Sequence, residues 1–190
     1  MGDLLWAVER NNFEEVKKLL EKQELDINYE DIYRRTSLHN ACRHGYLQIL
    51  QVLLRDHRIN VNKQDEFGYT PFYLACQWNH IEIVKCMMQD HRVDVNMQDK
   101  YGWSPLIPAC KTGKKQIVRL LIASGRKVDI DQETTRNDYL YDTQIKSGST
   151  ALDVAKQWNH TEIIQILKNY QSNPTETQQN LRNQMNLKGK

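Results

Sequence analysis

The sequence predicts an all-α solenoid of five stacked helix-turn-helix units that are joined by β-hairpin-like fingers. The main observation is a recurring alanine, which returns at intervals of 34, 34, 34 and 46 residues. A fixed period of this length is typical of repeat proteins, in which each unit buries its apolar face against the next. Only 8 glycines and 4 prolines occur among the 190 residues, which disfavours an all-β fold with many tight turns. The alanines are Ala7, Ala41, Ala75, Ala109 and Ala155.

The first helix of each later repeat is predicted to begin after a serine or threonine. Such a side chain accepts a hydrogen bond from one of the free backbone N–H groups of the first turn. The predicted N-caps are Thr36, Thr70, Ser104 and Thr150. Pro71 and Pro105 follow two of these caps, at a position where a missing N–H group is harmless.

Each first helix is predicted to end about nine residues after its cap. The residues there are of types that tolerate the left-handed conformation of a helix end. They are Gly45, Asn79, Gly113 and Asn159. A second helix with apolar residues at helical spacing is then predicted near residues 49–54, 83–88, 117–122 and 163–167. Polar segments with a turn, such as 62–69, lie between the helix pairs and form the fingers.

The segments TSLHNA at Thr36 and TPFYLA at Thr70 resemble the T-P-L-H-x-A signature of the ankyrin repeat. The resemblance extends over five repeats, from about Gly2 to Tyr170. The period is 34 residues rather than the family's usual 33, and the extra residue lies in the segments at His57-Arg58 and His91-Arg92. This resemblance implies the ankyrin-repeat fold and a non-enzymatic role in binding other proteins.

The resemblance also implies a domain organisation. An ankyrin-repeat domain is expected over residues 1–170, and residues 171–190 are expected to form a polar, flexible C-terminal tail. The repeats are expected at about 2–35, 36–69, 70–103, 104–149 and 150–170. The fourth repeat carries a long finger insertion, because eleven of its twelve extra residues lie between Asp131 and Thr150.

Several classes of function are disfavoured by composition and spacing. The net charge is only +2, which argues against a protein built to hold nucleic acid. We find no catalytic constellation, no phosphate loop and no C-x-x-C pair for zinc, so no catalytic, cofactor-binding or metal-binding residue is expected. Three of the four cysteines share one phase and are expected to be small apolar core residues. They are Cys42, Cys76 and Cys110.

The location and assembly of the protein are also expectations at this point. No apolar segment approaches the ~20 residues that span a bilayer, and residues 1–9 do not resemble a signal peptide. We therefore expect a cytoplasmic protein, with the nucleus as the alternative compartment. We also expect a monomer that has no membrane, metal or nucleic-acid partner.

The aromatic residues are unevenly distributed and suggest a partner-binding surface. Several share one phase at the finger tips, just before the N-caps, or near the end of a first helix, and cationic residues border them. By resemblance to the ankyrin family, these positions line the concave palm and the fingers that contact partners. Two tyrosines in the long finger are added, because insertions in repeat proteins often map to the binding face. The predicted site residues are Tyr33, Arg35, Arg43, His44, Phe67, Tyr69, Trp78, Lys100, Tyr101, Trp103, Lys111, Tyr139 and Tyr141.

The leading hypothesis is a protein–protein interaction module that acts as an adaptor, scaffold or inhibitor through its concave face and fingers. The alternative is a regulatory or targeting subunit of an enzyme complex, with the long finger or the tail as effector. A nucleic-acid-associated protein is a weaker hypothesis. Resemblance to hydroxylated ankyrin repeats further suggests Asn62 or Asn96 as a modified residue.

Overall fold

A computed structural model describes residues 2–136 and 145–187 of the protein. The chain divides into two compact units, which we call the N-terminal unit (residues 1–100) and the C-terminal unit (residues 101–190). Within the described residues the regular structure consists of α-helices, as the sequence predicts. Two of the predicted site residues, Tyr139 and Tyr141, lie outside the described residues.

The N-terminal unit contains three helix pairs. They are α1 (Asp3–Glu9) with α2 (Phe13–Leu20), α3 (Ser37–His44) with α4 (Leu47–Arg55), and α5 (Pro71–Gln77) with α6 (Ile81–Gln89). The first helices pack side by side in the order α1, α3, α5, and the second helices pack in the order α2, α4, α6. The core lies between these two rows, where Leu38, Leu50 and Phe72 are fully buried.

The C-terminal unit contains two further pairs and one additional helix. The pairs are α7 (Leu106–Lys111) with α8 (Lys115–Ala123), and α9 (Ala151–Gln157) with α10 (Thr161–Ser172). The additional helix, α11 (Pro174–Gln184), packs against α8 and α10. It falls in the segment expected to be a flexible tail. Asn173 accepts a hydrogen bond from the backbone N–H of Glu176 at 3.2 Å and Pro174 occupies the first turn, which together start this helix.

The N-cap predictions hold for three repeats and fail for one. Thr36, Thr70 and Thr150 precede their helices, and the side chain of Thr70 accepts from the backbone N–H of Tyr73 at 3.1 Å. Ser104 does not cap α7, which begins only at Leu106. The reason is Pro108, which has no N–H group to donate to the carbonyl of Ser104. That carbonyl instead accepts from Ile107 at 3.0 Å in a tighter turn.

The predicted helix ends adopt the left-handed conformation. Gly45, Asn79, Gly113 and Asn159 have φ angles of 76°, 63°, 67° and 55°. Gly45 is additionally constrained by a close neighbour, because a Cβ atom there would lie 2.7 Å from Nδ1 of His80. Nε2 of His80 in turn contacts the carbonyl of Arg43 at 2.9 Å, so this histidine secures the end of α3.

The residues that lengthen the period have a structural role in the N-terminal unit. Arg58 donates to the carbonyls of Leu20, Lys22 and Gln23 at 3.0–3.3 Å, and is held by Asp56 at 2.6 Å. Its guanidinium therefore occupies the C-terminal end of α2, where backbone carbonyls lack partners within the helix. Arg92 repeats this arrangement for α4 through the carbonyl of Leu54, at 2.8 Å.

The asparagines that recur every 34 residues join neighbouring fingers. Asn62 donates to the carbonyl of Arg92 at 2.7 Å and accepts from the N–H of Asp94 at 2.8 Å. Asn28 makes the equivalent bonds to Arg58 and Asn60. The cysteines of the shared phase, Cys42, Cys76 and Cys110, are free and buried, as expected, and burial raises their pKa values.

Candidate protein-interaction surface

The predicted site residues of the N-terminal unit form two groups. The finger cluster consists of Tyr33, Arg35, Phe67 and Tyr69, which lie on the fingers before α3 and α5. The helix cluster consists of Arg43, His44 and Trp78, which lie at the ends of α3 and α5.

Aspartates inside the fingers fix the backbone of the finger cluster. Oδ1 of Asp65 accepts from the N–H groups of both Phe67 and Tyr69 at 2.9 Å. Oδ1 of Asp31 accepts from Tyr33 and Arg35 in the same way, at 2.8 Å each. Because each carboxylate closes its turn locally, the aromatic side chains are held on a preformed backbone.

Stacking joins the side chains of the finger cluster. The rings of Phe67 and Tyr69 are 5.7 Å apart, and Tyr69 stacks on Tyr73 of α5 at 4.5 Å. The guanidinium of Arg35 lies 4.9 Å from the centre of the Tyr33 ring. Tyr33 and Phe67 nevertheless keep 44% and 41% of their surface exposed. The cluster thus presents apolar rings to solvent while its base is packed.

Backbone hydrogen bonds connect successive finger tips. The N–H of Glu66 donates to the carbonyl of Tyr33 at 2.9 Å, and that of Lys100 donates to the carbonyl of Phe67 at 3.1 Å. The predicted site residue Lys100 is exposed at this tip. Neighbouring fingers therefore support one another at the positions that carry the aromatic rings.

A buried histidine links α3 to the finger cluster. Nδ1 of His39 accepts from the N–H of Thr36 at 3.0 Å, and Nε2 contacts the carbonyl of Tyr69 at 3.1 Å. Burial lowers the pKa of His39 to about 4, although the bond to Tyr69 opposes this shift. The ring is therefore neutral at pH 7. In the next repeat Tyr73 takes the same position, and its hydroxyl donates to Asp99 at 3.0 Å.

The helix cluster contains the most exposed tryptophan of the predicted set. Trp78 keeps 51% of its surface accessible, and the guanidinium of Arg43 lies 5.7 Å from its ring centre. His44 is exposed and stacks on Tyr46 at 5.5 Å. Burial, together with the charge of Arg43, lowers the pKa of His44.

The predicted site residues of the C-terminal unit are arranged differently. The ammonium of Lys111 lies 4.7 Å from the ring of Trp103 and 5.9 Å from that of Trp158. Tyr101 contacts Trp103 at a ring distance of 6.5 Å. Trp103, which we expected to be an exposed anchor, is buried with only 8% of its surface accessible. Its ring lies under Lys111 and beside Tyr101, so it is part of the packing of this unit.

Two exposed apolar residues were missed by the sequence analysis. Ile32, next to Tyr33 at the first finger tip, is 86% exposed. Trp6 in α1 is 58% exposed and has the guanidinium of Arg10 at 5.3 Å from its ring. The 34-residue phase offered a signal for Trp6, because its equivalents Asn40 and Leu74 are buried in later repeats.

The described part of the chain shows no sign of a catalytic or metal centre. Within it, no group of three His, Cys, Asp or Glu side chains is placed to hold a metal ion. Two clefts of about 510 and 490 Å³ occur in the N-terminal unit, and neither is lined by a predicted site residue. None of the described helices has the length and apolar character that a membrane span requires.

Comparison with known families gives one result that extends over most of the chain. The family model for ankyrin repeats (3 copies) matches at residues 4–65, 57–134 and 88–178. No curated protein matches the chain.

Proposed function

Because the chain belongs to the ankyrin repeat family, whose repeats are generally protein–protein interaction modules, we propose that it is a binding module for a protein partner. The partner occupies the finger and helix clusters of the N-terminal unit, and the protein acts as an adaptor, scaffold or inhibitor without chemistry of its own. Tyr101 and Lys111 of the C-terminal unit provide further contacts.

The observation that carries this proposal is the combination of exposure and order in the N-terminal unit. Tyr33, Phe67 and Trp78 each expose more than 40% of their surface. Two of them lie on turns closed by aspartates, and the third follows a helix. Exposed aromatic rings bordered by arginine are typical of interface hot spots. A backbone that is already ordered lowers the entropy cost of association.

The experiment is affinity capture from the native cell extract, with quantitative mass spectrometry of the captured proteins. Three forms of the chain are compared: the wild type, Trp78→Ala combined with Phe67→Ala, and Trp6→Ala. Trp6 is the matched control, because it is also an exposed tryptophan with an arginine over its ring but lies outside both clusters.

We expect the double variant to lose a partner that the wild type and Trp6→Ala both retain. Each anchor contributes about 1–3 kcal/mol, so the two together weaken binding by at least tenfold. Equal capture by all three forms would refute the placement of the site. Equal loss in both variants would mean that exposed tryptophans bind unspecifically.

A further inference from the structure

The second helices of the two units differ in how well their outer faces are covered. Leu120 and Ile122 of α8 are buried, with 3% and 0% of their surface accessible. The residues that lie 34 positions earlier, Cys86 and Met88 of α6, are only partly buried. In the C-terminal unit this face of α8 is covered by α11.

α11 holds this position with few anchors. Its buried side chains are Thr177 and Leu181, which are four residues apart and therefore share one face of the helix. Nε of Arg182 donates to the carbonyl of Ala123, at the last residue of α8, over 2.7 Å. Gly125 leaves the room that this guanidinium occupies.

A second contact fixes the direction of α11. Arg119 of α8 bonds to Gln184 of α11 and, at 3.4 Å, to Glu162 of α10. The groove between α8 and α10 thus offers three features to a helix. These are an apolar face, a free carbonyl at the end of α8, and a charged pair at its side.

The rest of α11 contributes little to its binding. The helix has eleven residues and is rich in exposed glutamine and asparagine. A helix of this length is only marginally stable by itself in water, so it depends on docking. A polar helix with two buried anchors is easily replaced by one that buries more apolar surface.

We propose that the groove between α8 and α10 is a binding site for an amphipathic helix, and that α11 is its resident occupant. A competing partner helix carries a small residue, a leucine four positions later and an arginine next to it, as Thr177, Leu181 and Arg182 do. This site is separate from the finger and helix clusters, so it goes beyond the proposed function. It adds a second interface, which opens when α11 leaves.

The test uses the full chain and a fluorescein-labelled peptide of residues 172–187 as the probe. In the variant Leu181→Asp combined with Arg182→Glu, α11 loses both anchors and leaves the groove empty. We expect the peptide to bind this variant at least tenfold more tightly than it binds the wild type, where α11 competes at the high effective concentration of a tethered segment. A chain with Asn180→Asp, which changes an exposed position of α11, should behave as the wild type.

The identity of the anchors is tested with a second peptide that carries Leu181→Asp. This peptide should show at least a tenfold loss of binding to the variant chain. Absence of binding by the native peptide, or equal binding by both peptides, would overturn the proposal.

Hydrogen exchange of the wild type keeps the proposal testable if the variant does not fold. Amides of α11 should exchange at least tenfold faster than those of α8 and α10, because α11 leaves the groove without unfolding the unit. Exchange of α11 at the same rate as α8 would show that it is a fixed part of the unit, and would also overturn the proposal.

Discussion

The N-terminal and C-terminal units use the same kinds of residue at corresponding positions with opposite results. Tyr69 and Trp103 are 34 residues apart, and both precede the first helix of their repeat. Tyr69 stacks within a partly open cluster, whereas Trp103 is buried beneath Lys111. The aromatic pattern therefore locates rings in the fold, but the side chains around each ring decide whether it faces solvent.

The units also differ in how the ends of their second helices are satisfied. In the N-terminal unit Arg58 and Arg92, at one phase of the repeat, donate to the carbonyls of α2 and α4. In the C-terminal unit the end of α8 receives Arg182 from a helix outside the repeat pattern. The same requirement for a donor at a helix end is thus met by a local residue in one unit and by a distant one in the other.

The largest expected effect separates the two tryptophans. Trp103→Ala should lower the free energy of unfolding by about 3–5 kcal/mol, because it removes a buried ring. Trp78→Ala should cost about 1 kcal/mol, since half of that ring is already in water. Urea unfolding followed by circular dichroism gives both values. A cost for Trp78→Ala equal to that for Trp103→Ala would contradict the difference in burial.

The second prediction compares two capping boxes that titrate in different pH ranges. His39 and Asp153 occupy the same position of α3 and α9. The pKa of His39 falls from about 6.5 in the unfolded chain to about 4 in the folded protein. Its stabilising effect is complete above about pH 6.5 and is lost as the pH falls towards 4, by about 3 kcal/mol in total.

The carboxyl of Asp153 responds in a lower range. Burial opposes its ionisation, but hydrogen bonds with Thr150 and Lys156 lower its pKa overall. Its contribution is therefore retained until the pH falls below about 4. Urea midpoints between pH 7 and pH 4.5 should fall steeply for the wild type and for Asp153→Asn. They should fall less for His39→Gln, and the same slope in all three chains would argue against a neutral buried His39.

The third prediction tests the cover that α11 provides. Ile122→Ala should cost about 3 kcal/mol of unfolding free energy, as expected for a fully buried position. Leu54→Ala, 68 residues earlier in the same phase, should cost about half as much because Leu54 is partly exposed. Urea unfolding of both variants measures this difference. Equal costs would mean that α11 does not protect α8.

The smallest effect is expected for the arginine that closes α4. Arg92→Lys keeps the charge but loses the planar group that bonds both Asp90 and the carbonyl of Leu54. We expect a loss of less than about 1 kcal/mol, because the pair is partly exposed. The measurement is a thermal midpoint at low and at high salt, with Lys85→Arg as the control. An increase in stability would refute the role of this arginine.

The sequence alone predicted most of the fold because the signals are local. The all-α ankyrin-repeat class is confirmed, and so are the left-handed turns at Gly45 and Asn79. The cap at Ser104 failed because Pro108, four residues later, removed the donor that the cap needed. The helix α11 was missed although Asn173, Pro174 and Glu176 form a recognisable start, because its glutamine-rich composition suggested disorder.

The candidate site was predicted less completely than the fold. Tyr33, Phe67 and Trp78 are exposed, as a binding surface requires, while Trp103 is not. Nothing in the local sequence distinguishes these rings, since each lies at a finger or at a helix end. Their partner-binding role is a prediction that the capture experiment decides.

The sequence by itself determined the phase of the repeat, the caps, the turns and the buried cysteines. These features depend on backbone conformation and on residue size, which act within a few positions along the chain. Only the tertiary structure decided which aromatic rings are exposed and which outer helix faces are covered. Exposure depends on what residues distant in the chain place nearby, as Lys111 and α11 do. That information is carried by packing rather than by the local pattern.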